Sequence, residues 1–150
     1  MDKKDRDDIL SCVKKFQLRY MSTEMYDSMG QFIMLLPIYY DDGDGSCVVI
    51  TPLPGRKWRV SDGGETAFHQ MLTFKEIKGI CDVYNLKCED AYCDDQPPFE
   101  CELYDIVDAG NEEQFGMAVQ KIMQAICASY ECLGRRSMVD RHWGEVDELK

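Results

Sequence analysis

Phe32-Ile33-Met34-Leu35-Leu36-Pro37-Ile38-Tyr39-Tyr40, then Asp41-Asp42-Gly43-Asp44-Gly45, then Cys47-Val48-Val49-Ile50-Thr51: the reading of this run decides the fold. The first block is continuously apolar and bounded by Gly30 and an Asp/Gly-rich turn, the pattern of a buried strand. The β-branched block after the turn makes a hairpin partner for it. Pro37 has no N–H to give to a ladder, so it predicts a bulge or an edge position. Pro52-Leu53-Pro54-Gly55 is a second turn, and Lys57-Trp58-Arg59-Val60-Ser61 alternates in polarity as a third strand. The centre of the chain is therefore an antiparallel meander of three strands.

Working outward, Ile9, Val13, Phe16 and Tyr20 recur on one face of a 3.6-residue period and predict a helix from about Asp5 to Tyr20. Met21 to Gly30 is a polar stretch between that helix and the meander. On the other side, Asp62-Gly63-Gly64 ends the third strand and Glu65-Thr66 opens a helix carrying Phe68, Met71 and Leu72. Thr73 and Glu76 have capping-box spacing and start a further helix with the stripe Phe74, Ile77, Cys81 and Tyr84, closed by Asn85. Leu86 to Cys93 and Phe99 to Val107 are strand candidates around the turn Asp94-Asp95-Gln96-Pro97-Pro98, and together they make an acidic hairpin. A long helix starts at Asn111, with Gln114 in capping-box position. Its stripe runs through Phe115, Ala118, Val119, Ile122, Ile126, Tyr130 and Leu133, with Gly134 as the C-terminal stop. The expected class is α+β, one domain over residues 1–134 with the long helix packed on one sheet face. Residues 135–150 form a polar tail with room for a short helix.

Size and composition agree with a globular domain: 150 residues, 45% hydrophobic and 30% charged. No apolar run approaches the roughly 18 residues needed to cross a bilayer, and the charged start Met1-Asp2-Lys3-Lys4-Asp5-Arg6-Asp7-Asp8 lacks an apolar signal region. The expectation is a cytoplasmic protein with no membrane partner. The 8 cysteines sit largely at apolar positions (Cys12, Cys81 and Cys127 on or beside helical stripes, Cys47 and Cys101 in strand-like runs) and read as reduced thiols. Charge is unevenly spread. Residues 1–30 carry six acids and six bases, whereas residues 82–108 carry nine acids against Lys87, or −8 of the total −11. Affinity for a phosphate backbone comes from Lys and Arg, so direct nucleic-acid binding is disfavoured and basic partners are favoured.

The most distinctive stretch is the strand–turn–helix junction Val60-Ser61-Asp62-Gly63-Gly64-Glu65-Thr66. The two glycines allow a sharp turn, free N–H groups at a helix start can hold an anion, and Asp62 with Glu65 can act as a carboxylate pair for a metal. The plainer reading has Asp62 capping the helix. The junction resembles a bacterial and phage family of domains of unknown function, the one numbered eighteen-twenty-eight. Ile80 to Leu86 and the helix from Phe115 to Ala128 are similar to it in placement, so the likeness spans roughly residues 31–130. The resemblance implies a small protein common in prophages and mobile elements, and it brings no catalytic residues.

Other constellations carry less. Cys81, Cys88, Cys93 and Cys101 have intervening lengths of six, four and seven residues; zinc pairs sit two to four apart, so only Cys88 and Cys93 come close, and no His lies near them in sequence. Asp42, Asp44 and Gly45 are a fragment of a calcium loop, but Ser46 stands at the next acidic position and no glutamate closes it. They read as solvated carboxylates on a hairpin turn. His69 lies on the polar-to-apolar boundary of a helix and His142 in the polar tail, and nothing aligns either with a thiol. No cofactor and no metal is assigned. In the acidic hairpin, Glu100 and Glu102 alternate with Phe99, Cys101 and Leu103 and share the outward face, and Glu89 and Asp90 add charge from the neighbouring strand. A partner-binding face then comprises Glu89, Asp90, Asp94, Asp95, Glu100, Glu102 and Asp105.

The leading functional expectation is a small acidic phage-type protein that imitates nucleic-acid charge. It would occupy, and inhibit, a basic nucleic-acid-binding surface on a host or defence protein. Reversing Glu100, Glu102 and Asp105 should then weaken binding and leave the fold intact. A metal-dependent hydrolase using Asp62, Glu65 and Asp41 or Asp42 is the alternative. A third is a regulatory subunit that pairs, as in a homodimer, through the helix at residues 111–133.

Overall fold

A computed structural model of the chain describes residues 2–19, 25–28, 30–90 and 101–148. The order is α1 (Lys3–Arg19), β1 (Met25–Ser28), β2 (Gln31–Tyr39), β3 (Gly45–Leu53), β4 (Lys57–Ser61), α2 (Glu65–Gln70), α3 (Phe74–Tyr84), β5 (Lys87–Asp90), β6 (Cys101–Asp108) and α4 (Glu112–Glu148). The strands form one antiparallel sheet in the order β1-β2-β3-β4-β6-β5. This is the α+β class expected, with the meander at its centre and the acidic hairpin paired beside it. Among the described residues no helix is long and apolar enough to cross a membrane.

Alternation along the strands separates two faces. Phe32, Met34, Leu36, Val48, Ile50, Trp58, Val60, Leu103 and Val107 are buried under the helices. The α1 stripe Ile9, Val13 and Phe16 and the α4 stripe Phe115, Val119, Ile122 and Ile126 close the core over them. Phe115 is its hinge point, meeting Phe16 at 5.9 Å and Trp58 at 6.2 Å, both edge-on. On the other face the intervening side chains, Ile33, Leu35, Val49, Arg59 and Tyr104 among them, remain partly exposed.

Several local signals resolve as the sequence chemistry demands. The ladder between β2 and β3 shifts register between Leu35 and Tyr39, which places the bulge around Pro37. Thr73 and Glu76 complete a reciprocal capping box, and Asn85 ends α3 in the left-handed conformation at φ 56°.

Four features differ from the sequence reading. The polar stretch before the meander contains β1, which adds to the sheet edge through backbone pairing of Met25 with Met34 and Ser28 with Gln31. Gln114 reaches past the cap residue Asn111 and accepts from the Asp108 N–H at 2.7 Å. The α4 backbone stays helical through Gly134 to Glu148. A glycine stops a helix only by turning left-handed, and kept helical it costs about 1 kcal/mol, which a long helix absorbs. Around α2 the apolar reading holds for Leu72, which is wholly buried, but Phe68 and Met71 are exposed, while Thr66, Ala67 and Gln70 are buried.

Candidate functional site

The site grows out of two turns brought side by side. At the end of β2 the Tyr40 N–H donates to the Asp44 carbonyl (2.8 Å), the Gly43 N–H donates to the Tyr40 carbonyl (2.9 Å), and the Asp44 N–H donates to Asp42 Oδ1 (3.0 Å). This fold-back aims the Asp42 and Asp44 carboxylates at α2. There the junction after β4 turns on Gly63 and Gly64, at φ 70° and 78°, conformations in which a side chain is strained. Asp62 is wholly buried in that turn. Its carboxylate accepts the N–H groups of Gly64 (2.9 Å), Thr66 (3.1 Å) and Leu103 (3.1 Å), so it ties β4, α2 and β6 together. Burial pushes its pKa up to about 6 against these hydrogen bonds and that of the Thr66 hydroxyl. The N-cap position itself is Gly64 and carries no side-chain cap.

Glu65 is engaged with His69, whereas the Asp62 carboxylate is taken up by backbone donors. Glu65 Oε2 lies 2.8 Å from His69 Nε2, one helical turn on. The opposite ring nitrogen, Nδ1, makes a short contact with Asp42 Oδ2 and lies 3.6 Å from Asp44 Oδ2. The imidazole ring is clamped on its face by Tyr40, stacked at 4.7 Å, and on its edge by Phe68 at 5.2 Å. Only 10% of the His69 side chain is exposed, whereas Asp42 and Asp44 are open to solvent at 43% and 70%. Asp42, Asp44 and His69 each present one ligand atom, all within 4.8 Å of one another. Burial would lower the His69 pKa, but the Asp42 hydrogen bond and charge, then those of Glu65, outweigh it and raise it. From behind, Gln70 accepts the Asp41 N–H at 3.3 Å and donates to Ser129 of α4 at 3.1 Å, a buried polar link from the turn to the long helix.

The arrangement carries a tautomer argument. A neutral imidazole has one N–H. With that proton donated to Glu65, the Nδ1 lone pair faces two carboxylates and demands a cation, either a proton or a metal ion. A ring nitrogen held by a carboxylate on its far side is the usual support of a metal-ligating histidine.

The acidic hairpin is arranged differently. Glu89 and Glu102 stand directly opposite each other on β5 and β6. Arg59 lies between them, donating to Glu102 at 2.8 Å and to Glu89 at 3.0 Å while its guanidinium covers the Tyr104 ring. Ser61 also donates to Glu102. Asp105 is paired with Lys121 of α4 at 3.1 Å. Glu102 and Asp105 thus hold the fold's own contacts, and reversing their charge disrupts those contacts as well as any partner surface. Asp94, Asp95, Glu100 and Cys93 lie outside the described residues. Cys81, Cys88 and Cys101 do not converge as a three-ligand group.

Sequence reasoning missed the grouping of Asp42, Asp44 and His69, which are separated by some 27 positions and joined only by the tertiary fold. The local signal present was the four-residue spacing of Glu65 and His69, one face of a helix. In comparisons with known proteins, no family model, no curated protein and no solved structure matches the chain.

Proposed function

We propose that this chain is a divalent-metal-binding domain whose working site is Asp42, Asp44 and His69, with Glu65 orienting the imidazole. The single observation that carries this reading is the convergence of His69 Nδ1 on two carboxylates while Nε2 is committed to Glu65. One imidazole nitrogen with carboxylate oxygens suits a first-row ion such as zinc or manganese better than a hard or a thiophilic one. The solvent-open side at Asp42 and Asp44 gives water access to the site, and a metal held there would supply hydrolytic chemistry by lowering the pKa of a bound water. Exposed Phe68, edge-on to His69, gives the site an apolar rim against which a substrate can rest.

Calorimetric titration with zinc and with manganese chloride near neutral pH tests this. One site per chain is expected, at least tenfold weaker in His69→Gln and in Asp42→Asn, and weaker as falling pH returns a proton to Nδ1. Equal affinity in both variants, with circular dichroism unchanged, would overturn it.

A second reading keeps the charge as the working feature: an acidic, mobile-element-type inhibitor of a basic nucleic-acid-binding protein. It is supported by the −8 carried by residues 82–108, of which Arg59 and Lys121 offset only part. Its test is capture of such a protein from nuclease-treated bacterial lysate, lost at high salt and lost on reversing Asp94, Asp95 and Glu100. Salt-independent capture, or none, counts against it.

A further inference from the structure

Two thiols stand outside the site above, where α3 meets the sheet edge. Cys88 pairs across the ladder with Leu103, which is wholly buried beneath the helices. Residues opposite one another in an antiparallel pair share a face, so Cys88 projects toward α3. Cys81, in the last turn of α3, is 1% exposed, and its Sγ lies 3.7 Å from the carbonyl of Lys87, the residue next to Cys88. The two thiols are near enough to perturb each other's ionisation. They differ in access: Cys88 is partly exposed and Cys81 is not.

We infer that Cys81 and Cys88 form a redox-responsive dithiol, with Cys88 the site of attack by a hydroperoxide and Cys81 the resolving thiol, closing a disulfide between α3 and β5. Burial raises both thiols, Cys81 to about 12, while the neighbouring Cys81 and Lys78 hold back the rise at Cys88. Cys88 therefore gives up its proton first, and its thiolate fraction grows with pH.

The steps balance. The Cys88 thiolate attacks one peroxide oxygen, the O–O bond breaks, and the leaving alkoxide takes up the proton that Cys88 released, giving an alcohol and a sulfenic acid on Cys88. The Cys81 sulfur then attacks the Cys88 sulfur. The S–S bond forms, the S–O bond breaks, and hydroxide leaves as water with the Cys81 proton. Two thiols are oxidised by two electrons, and the hydroperoxide is reduced by two. A small thiol such as glutathione reverses the bond by exchange, so the pair is compatible with a reducing compartment, where disulfides are transient and redox-sensing. The closed bond ties the end of α3 to the strand that carries Glu89.

The full chain is treated with hydrogen peroxide, alkylated under denaturing conditions and cut with a glutamate-specific protease. The fragment 77–89 holds both cysteines. It should be lighter by two hydrogens and unalkylated, and after dithiothreitol it should take two alkyl groups. Conversion should be faster at higher pH. In Cys81→Ser the crosslink disappears and Cys88 is captured as a sulfenic acid by dimedone; in Cys88→Ser, Cys81 stays reduced. Recovery of the wild-type fragment with both thiols alkylated, or with Cys88 as a sulfinic acid and no crosslink, overturns the inference.

Discussion

At the scale of a residue, Asp62 shows how a carboxylate in a distinctive motif serves the fold instead of the solvent. Three backbone N–H groups, one each from the turn, α2 and β6, point at it. Asp62→Ala leaves those donors buried and unpaired, at about 1–3 kcal/mol each before relaxation. Urea unfolding should therefore show a loss of roughly 3 kcal/mol or more, and Asp62→Asn, which keeps one oxygen, should lose less. The glycines beside it were legible in the sequence because a sharp strand-to-helix turn needs positive φ. The inward direction of Asp62 was not, because its third partner, Leu103, comes from a strand 41 residues away.

At the scale of an element, the hairpin of β5 and β6 illustrates the same limit. Alternation correctly put Glu102 on the face away from Cys101 and Leu103, and the sequence order placed Glu89 near it. What alternation cannot supply is the neighbour on the far side. The strand beside β6 is β4, so Arg59 arrives to neutralise a like-charge pair that would otherwise repel across the ladder. Arg59→Met removes that compensation. Stability should fall by about 1 kcal/mol, with part of the loss recovered in high salt as the exposed Glu89 is screened, and amide hydrogen exchange should rise first in β5 and β6. Periodicity made α1, α3 and the start of α4 readable because their stripes contact the core directly. It misread α2, a six-residue helix whose buried side is set by Gln70 bonding to α4 and Thr66 bonding to Tyr40.

At the scale of the whole molecule, two groups set a pH dependence of the same sign. The folded state holds the Asp62 proton more tightly than the unfolded chain, with a pKa of about 6 against an ordinary 3.8. Stability from this group therefore declines as pH rises from about 4 to 6 and is flat above. His69 is also raised, from 6.5, so its contribution is full below that value and is lost as pH climbs through the folded-state pKa. Thermal unfolding should accordingly show a more stable protein in mildly acidic than in mildly alkaline buffer. His69→Gln should flatten the alkaline limb, and zinc should restore stability there by replacing the lost proton. The buried link through Gln70 sets how far this exchange is felt. A hydrogen bond tolerates only a few tenths of an ångström of stretch, so the bonds from Asp41 to Gln70 and from Gln70 to Ser129 act as a ruler between the hairpin tip and the middle of α4. The distance at which Asp42 and Asp44 meet His69 is thus gauged by the longest helix in the molecule, and whatever shifts that helix along its axis retunes the bite of the cluster.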